Sequence, residues 1–212
     1  MNIDLERYVE EHCSPEDELL SELDRETNLR VLQPRMLSGN MQGQLLTMLM
    51  QMIQPKVAIE IGTFTGYSAI CLAKGMPEDS LLHTIEINDE LETIATEFIV
   101  KAKLNNKIKQ HVGDALNIIP TLDAPIDFVF MDGNKRHYCE YYEAVFDKLN
   151  VGGYILADNI LWDGKVVREV DRKDKQTQGI IEFNTKVAAD ERVNQIILPI
   201  RDGLSLIRKN KY

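Results

Sequence analysis

Two apolar runs of the sequence end in side chains that could bind a metal ion. IDFVFMD ends at Asp132, and GGYILADN ends at Asp158 and Asn159. Carboxylate and amide oxygens are hard ligands that suit Mg²⁺ or, less selectively, Mn²⁺ or Ca²⁺, and such ions keep positions open for water and substrate. If the two runs are neighbouring strands, these oxygens meet and predict a divalent metal site. Each run alone is also explained by a helix cap at Asp132 and an Asx turn at Asp158 and Asn159.

Lys135 follows Asp132 by three residues. A divalent cation beside this lysine would disfavour its ammonium form, so that the amine would accept a hydroxyl proton. The same cation, bound to two vicinal oxygens, would acidify the substrate hydroxyl and orient one oxygen for reaction. The alternative is an ordinary surface lysine near a helix start.

A third run, KVAIEIG, leads into a turn with two glycines in EIGTFTGYS. Gly62 and Gly66 allow a tight turn against a ligand before a helix begins, although Gly66 alternatively only closes the turn. Their spacing is GxxxG, which differs from the GxGxxG of dinucleotide sites and from the GxxxxGK of triphosphate sites. Glu60, near the strand end, would repel a phosphate and attract a cationic group. The turn therefore favours a cationic ligand.

Acidic residues also follow the next two β-rich runs. Glu86, twenty positions after Gly66, is suited to accept both hydrogens of a ribose diol, and Asp114 with the Ala115 amide would hold an adenine edge at a helix start. Asp114 and Asp89 are alternatively helix caps. We interpret Asp89 as a cap and Glu86 as a ligand-binding residue. An adenosine that carries a cationic chain is S-adenosylmethionine.

These motifs together resemble a known family. IEIGTFTGYSAICLA, HTIEIND, GDA, FMDGNK and ADNILWDGKVV are similar, in content and order, to the cation-dependent small-molecule O-methyltransferases, which include the catechol and caffeoyl-CoA O-methyltransferases. The likeness runs from about Met36 to the C-terminus. It implies an enzyme that uses S-adenosylmethionine and a divalent cation to methylate one hydroxyl of a vicinal dihydroxy-aromatic, catechol-like molecule.

The resemblance also implies a role for individual residues. Lys135 would be the catalytic base. The metal ligands would be Asp132, Asp158 and Asn159. Substrate would contact Lys135, Asn159 and Trp162. The cofactor would be bound by Met36, Leu37 and Ser38 from the N-terminal segment that covers it, and by Glu60, Gly62, Tyr67, Ser68, Glu86, Asp114, Ala115 and Asp132.

Trp162 comes directly after the proposed metal loop, where an aromatic substrate needs an apolar wall; plain core packing is the alternative. The segment VREVDRKDKQTQG, the Met-rich N-terminal helix, and Arg201 with Asp202 are where members of such a family differ in substrate choice. The sequence does not identify the diol.

The elements that must position these residues alternate from residue 56 onward. Helical patterns at 67–74, 89–103, 115–119 and 137–149 separate short β-rich runs, which predicts a parallel sheet. VNQIILPI and GLSLIRK, split by RDG, predict an antiparallel pair at one edge. With the resemblance, the fold class is α/β: a doubly wound, seven-stranded, mostly parallel sheet with one antiparallel edge strand, a Rossmann-like methyltransferase fold preceded by N-terminal helices.

The first 54 residues predict two helices that cover the cofactor and substrate side, ahead of a sheet core over 55–212, all within one domain, 1–212. Ser14 is the expected N-cap and Pro15 the first residue of a helix of about fifteen residues. MQGQLLTMLMQMI predicts a second helix that ends before Pro55, with Met and Leu side chains for core or dimer packing.

Composition limits the partners. Lys and Arg total 24 against 34 Asp and Glu, a net charge of −10 that disfavours nucleic acid and anionic membranes as partners. Cys13, Cys71 and Cys139 lack metal spacing and predict reduced thiols in a cytoplasmic protein, and the acidic N-terminus does not fit a signal peptide. We expect a small-molecule aromatic diol as substrate and a homodimer.

Two other functions remain open from sequence. An NAD(P)-dependent oxidoreductase on a doubly wound sheet would use Glu86 equally well, although its third glycine is missing. A non-catalytic binding protein would keep the sheet without the chemistry.

Overall fold

Seven strands form one sheet in the centre of the protein. The computed structural model describes residues 3–122 and 125–210. The strands are β1 (Val57–Ile61), β2 (Leu81–Glu86), β3 (Ile108–Val112), β4 (Ile126–Met131), β5 (Leu149–Asp158), β6 (Val193–Leu198) and β7 (Leu204–Lys209). Their order across the sheet is β3-β2-β1-β4-β5-β7-β6. Neighbouring strands among β1 to β5 are parallel, and β7 is antiparallel to both β5 and β6.

Helices cover both faces of this sheet. They are α1 (Ile3–His12), α2 (Glu18–Arg30), α3 (Gly39–Ile53), α4 (Tyr67–Gly75), α5 (Glu92–Lys101), α6 (Ala115–Ile118), α7 (Tyr138–Phe146) and α8 (Lys175–Ala188). Buried side chains of α2 to α5 pack with one face, and those of α6 to α8 pack with the other. The doubly wound, mostly parallel fold predicted from the sequence is therefore confirmed.

The sequence of β4 shows why the central strands are apolar throughout. Phe128 and Phe130 pack into the core on the α4 side, whereas Val129 and Met131 pack into the core on the α7 side. Because successive side chains point to opposite faces, a strand that is covered on both faces needs apolar residues at every position.

The start of α2 differs from the prediction. Asp17, not Ser14, is the N-cap, and its side chain accepts a hydrogen bond from the Leu19 amide at 3.0 Å. Pro15 lies before the helix rather than at its first position. The Ser14 carbonyl accepts a hydrogen bond from Gln44 Nε2 at 2.6 Å, so a tertiary contact with α3 holds this segment outside the helix.

The cap predicted at Asp89 is also wrong. Asp89 begins a short 3₁₀ turn, Asp89–Leu91, ahead of α5. Asn88 caps this turn, because its side chain accepts a hydrogen bond from the Glu90 amide at 3.1 Å. Both residues are good caps, and the chain uses the earlier one.

Strand register brings the predicted site residues to one edge. Ile61 pairs with Ile85 on one side and with Met131 on the other, and Met131 pairs with Ala157. The carboxyl ends of β1, β2, β4 and β5 are therefore level with one another. Ligands of such sheets bind beyond these strand ends.

Candidate functional site

The tips of β1 and β4 lie against each other because Gly62 has no side chain. The Asp132 amide donates a hydrogen bond to the Ile61 carbonyl at 2.9 Å. A Cβ atom on Gly62 would lie 2.5 Å from the Asp132 carbonyl oxygen, and its φ of +103° is itself unfavourable for other residues. Gly62 thus has a structural requirement in addition to its predicted role in cofactor binding.

Lys135 is buried and joins two site residues. Its Nζ donates hydrogen bonds to Asp132 Oδ1 at 2.5 Å and to the Tyr138 hydroxyl at 2.9 Å. The helix cap considered for Asp132 is not formed; Asn134 caps the following 3₁₀ turn by accepting from the Arg136 amide. Lys135 is 7% exposed, so it is not the ordinary surface lysine of the alternative interpretation.

Tyr138 connects the ends of two strands. Its fully buried hydroxyl lies 3.1 Å from the Met131 carbonyl oxygen and 3.0 Å from the Asp158 carbonyl oxygen. These carbonyls belong to β4 and β5, so the hydroxyl, with one proton to donate to either carbonyl, lies against both strand tips and accepts from Lys135 at the same time.

Asp158 is a buried carboxylate with two hydrogen-bond donors. Its Oδ1 accepts from the Asn159 amide at 2.6 Å, and its Oδ2 accepts from Gln42 Nε2 at 2.5 Å. The first of these bonds goes to the next residue, whereas an Asx turn needs the amide two residues on. Burial raises the pKa of Asp158 to about 6, and the negative charge of Asp132 adds to this effect.

The donor set at these tips fits a hard divalent cation. Asp132, Asp158 and Asn159 supply two carboxylates and an amide, and the two carboxylates are close enough for one to raise the pKa of the other. A cation between them would offset this repulsion. Within residues 3–122 and 125–210, no group of three or more His, Cys, Asp or Glu side chains could hold a metal ion, so the third protein ligand would have to be Asn159.

Glu60 presents an unusual buried carboxyl group. It is completely buried, and its Oε2 accepts a hydrogen bond from the Thr84 hydroxyl at 2.5 Å. Oε1 has no hydrogen-bond partner. Burial raises the pKa of Glu60 to about 8, although the nearby Ser68 and Thr84 hydroxyls act in the opposite direction. A buried oxygen without a partner suits a cationic ligand group, as the sequence predicts.

Glu86 and Asp114 hold their own loops in place. Glu86 Oε2 accepts from the Phe64 amide at 2.8 Å, and its Oε1 accepts from the Asn88 amide at 3.0 Å. Asp114 caps α6 by accepting from the Leu116 amide at 2.9 Å, as the cap interpretation expects. A carboxylate has about four acceptor positions, so neither contact prevents ligand binding.

Tyr67 and Ser68 point to different surroundings. Ser68 belongs to the Glu60 cluster, whereas the Tyr67 hydroxyl donates to Glu16 Oε1 at 2.5 Å. The Tyr67 ring also packs against Gly43, where a Cβ atom would lie 2.8 Å from the ring. Of these two predicted cofactor-binding residues, only Ser68 lies close to Glu60.

The predicted covering segment Met36–Leu37–Ser38 is attached to the β6–β7 turn. Leu37 and Ser38 are buried and Met36 is exposed. Arg201 in this turn donates from Nη2 to the Leu37 carbonyl at 3.3 Å and from Nη1 to Gln42 Oε1 at 3.0 Å.

Trp162 lies beside Lys135 and packs, partly buried, against the hydrophobic core on the α7 side, as the core-packing alternative expects. The Lys135 Nζ is 6.0 Å from the centre of the Trp162 ring, and the indole Nε1 is buried without a hydrogen-bond partner. Trp162 and Asp163 both have positive φ, and the Asp163 amide donates to Asp202 Oδ1 at 2.5 Å. Asp202 therefore holds this loop.

Three residues of the site were not found from the sequence. Gln42 lies in the helix interpreted as core or dimer packing, Thr84 lies inside an apolar strand, and Tyr138 begins a helix. Only Tyr138 had a local signal, because a residue three positions after Lys135 can lie next to it on a helical turn.

Comparison with known proteins identifies the family of this chain. A family model described as O-methyltransferase matches residues 10–210. Caffeoyl-CoA O-methyltransferase 2 of Populus trichocarpa is 36% identical over 184 residues, which are 80% of this chain and 73% of the relative.

Two solved structures are also similar. The O-methyltransferase TomG of Streptomyces achromogenes, involved in tomaymycin synthesis and solved with S-adenosylmethionine, is 32% identical with a TM-score of 0.87, over 98% of this chain and 96% of that one. An O-methyltransferase of Bacillus cereus, solved with S-adenosylhomocysteine, is 26% identical with a TM-score of 0.88, over 98% and 97%. Among the described residues, none of the helices has the length and apolarity of a membrane span.

Proposed function

Because the chain belongs to the O-methyltransferase family and is an S-adenosylmethionine-dependent O-methyltransferase, we propose that it methylates one hydroxyl of a vicinal dihydroxy-aromatic molecule with the help of a divalent cation. The oxygen cluster at the tips of β4 and β5 carries this proposal. Names of relatives such as caffeoyl-CoA O-methyltransferase support a catechol-like substrate.

The metal would be held by Asp132, Asp158 and Asn159. The carboxylates of Asp132 and Asp158 lie beside one buried ammonium, that of Lys135, so the site has an excess of negative charge. A bound divalent cation would neutralise this excess. When bound, the ion would supply a Lewis acid that acidifies a phenol and fixes two vicinal oxygens. We propose Mg²⁺ first, since the ligands are hard oxygens.

Lys135 is the proposed base. Its amine is buried near the Trp162 ring and is oriented by the Tyr138 hydroxyl, so a flat phenol stacked on the indole would bring its hydroxyl within reach of Nζ. Nζ is paired with Asp132. To act as a base, Nζ must first lose a proton to solvent, which the loss of the Asp132 partner and a nearby divalent charge would favour. The neutral amine would then accept the phenol proton.

Cofactor binding would use the opposite side of the strand tips. The free Oε1 of Glu60 would accept from the ammonium group of the methionine chain, and Glu86 would accept from the ribose hydroxyls. The segment Met36–Ser38 would close over the cofactor.

Methyl transfer from S-adenosylmethionine to a panel of catechols, with Mg²⁺ or with EDTA, tests the metal. We expect activity with Mg²⁺ and loss of at least about a hundredfold in EDTA. Full activity in EDTA would eliminate the metal role, and transfer to monophenols but to no diol would eliminate the substrate class.

The variant Lys135→Ala tests the base. We expect turnover to fall about 10²- to 10⁴-fold while S-adenosylhomocysteine affinity, measured by calorimetry, is unchanged. Lys109→Ala, an exposed lysine on β3, is the control and should keep full turnover. Normal turnover in Lys135→Ala would refute the assignment.

We propose that the chain forms a homodimer through exposed apolar residues of α3. Met48 and Met52 are 59% and 76% exposed, one turn apart on this helix. Light scattering should give twice the chain mass, and Met52→Glu should lower it; a wild-type monomer would contradict the proposal.

A further inference from the structure

Gln42 links the covering segment to a proposed metal ligand. Its side chain is 1% exposed and lies in α3, just after the segment Met36–Ser38. The amide nitrogen donates to Asp158 Oδ2 at 2.5 Å, and the amide oxygen accepts from Arg201 Nη1 at 3.0 Å. Arg201 in turn donates to the Leu37 carbonyl. Three parts of the chain that are distant in sequence, around residues 37–42, 158 and 201, thus meet in one line of hydrogen bonds.

The orientation of the Gln42 amide is fixed by its two partners. A guanidinium only donates and an ionised carboxylate only accepts, so the oxygen must face Arg201 and the nitrogen must face Asp158. If the amide were flipped, its oxygen would face the Asp158 carboxylate and its nitrogen would face Arg201. The flipped amide would therefore lose both hydrogen bonds and leave buried polar atoms unpaired.

We propose that Gln42 is a positioning residue for Asp158, held in its working orientation by Arg201, and that this contact couples closure of the covering segment to metal binding. The inference rests on the proposed function of the site. Oδ2 is held by Gln42 and Oδ1 by the Asn159 amide, so the carboxylate plane of Asp158 is set before any ion arrives. Groups that orient a ligand in this way commonly change metal affinity 10- to 100-fold when they are removed.

The coupling follows from the shared guanidinium. Arg201 contacts the covering segment and the Gln42 amide with different nitrogens. When the segment is closed, Arg201 is ordered and the Gln42 amide is locked. When the segment opens, the Gln42 amide loses the hydrogen bond from Arg201 that fixes its orientation. The hydrogen bond from Gln42 to Asp158 is then no longer maintained.

The test is a titration of Mn²⁺ alone, with S-adenosylhomocysteine present, in which free Mn²⁺ is followed by electron paramagnetic resonance. Gln42→Met keeps the side-chain length and removes both polar atoms, and we expect about tenfold weaker Mn²⁺ binding. Gln44→Met, on the same helix, is the control and should bind Mn²⁺ within about twofold of the wild type. Thermal unfolding in EDTA shows whether each variant is folded.

Arg201→Met provides a second test through an exposed residue. We expect about threefold weaker Mn²⁺ binding, and in the double variant with Gln42→Met no loss beyond that of Gln42→Met alone, since the two act in series. Additive losses, or wild-type affinity in Gln42→Met, would overturn the inference and leave the metal-dependent function standing. A wild-type protein that binds no Mn²⁺ would overturn both.

Discussion

Replacement of Glu60 by glutamine should stabilise the ligand-free protein and weaken cofactor binding. The folded protein holds this carboxyl group completely buried, with Oε1 unpartnered and a pKa raised by burial to about 8 from an ordinary 4.5. A folded pKa above the unfolded one means that the folded state binds the proton more tightly. Ionisation of Glu60 therefore reduces stability as the pH rises from 4.5 to 8.

The magnitude follows from the two pKa values. Each tenfold difference in proton affinity is worth about 1.4 kcal/mol, so the titration of Glu60 lowers stability by about 3 kcal/mol at pH 7, about 4 kcal/mol at pH 8 and about 5 kcal/mol well above pH 8. Glu60→Gln removes the titration and keeps the shape. We expect its advantage in free energy of unfolding to grow from near zero at pH 4.5 to about 4 kcal/mol at pH 8 and to level off above that pH.

Urea unfolding at several pH values between 4.5 and 8.5 measures this difference, and calorimetry with S-adenosylhomocysteine measures the loss of affinity. A hydrogen bond to a charged group is worth about 1.5–3 kcal/mol, so binding should weaken about 10- to 100-fold in Glu60→Gln. Stability curves of the same shape for both proteins would refute the burial argument. Unchanged affinity would refute the contact between Glu60 and the ligand ammonium.

Three further changes have defined outcomes. Tyr138→Phe removes the acceptor 2.9 Å from Lys135; kcat should fall about tenfold without a change in cofactor affinity, and unchanged kcat would contradict its positioning role. Gly62 has a φ of +103°, and a Cβ atom at this position would clash with the backbone of Asp132. Urea unfolding should therefore show that Gly62→Ala is about 1–3 kcal/mol less stable than the wild type, and an unchanged midpoint would contradict the clash. The Arg192 guanidinium holds the pKa of Asp190 well below its usual value. The stability that this ion pair contributes is fully present above about pH 4 and is lost as the pH falls. The melting temperatures of the wild type and Asp190→Asn should therefore converge at low pH.

The sheet was predictable because its signals are local. The run IDFVFMD becomes Ile126–Met131, and GLSLIRK becomes the antiparallel strand Leu204–Lys209. An apolar strand of five or six residues, followed by a polar residue at its carboxyl end, is set by the requirement to bury both faces. The same requirement gives the position of Asp132 and Asp158 at the strand tips, which is why these residues could be named from sequence.

Contacts between distant residues were not predictable. Gln42 contacts Asp158 across 116 positions and Arg201 across 159, and no local pattern carries that information. The prediction of Ser14 as the cap of α2 failed for the same reason, since Gln44 of another helix binds the Ser14 carbonyl and Asp17 caps the helix instead. Sequence patterns thus indicate which residues have chemistry, and the tertiary structure decides which of them hold one another in place.

The charges of the site predict that metal and cofactor assist each other, and that the effect depends on pH. Burial is the main reason that the pKa of Glu60 is about 8, and the negative charge of Asp132 raises it further. Near pH 7 the ammonium of the cofactor must therefore displace a proton from Glu60. A cation bound to Asp132 would remove part of this repulsion, ionise Glu60 more readily and strengthen cofactor binding, and the cofactor would strengthen metal binding by the same factor. Above pH 9 Glu60 is already ionised, so this gain should disappear. The ratio of S-adenosylhomocysteine affinities with and without Mg²⁺ should be larger at pH 7 than at pH 9.5, and an equal ratio at both pH values would show that Glu60 does not connect the two sites.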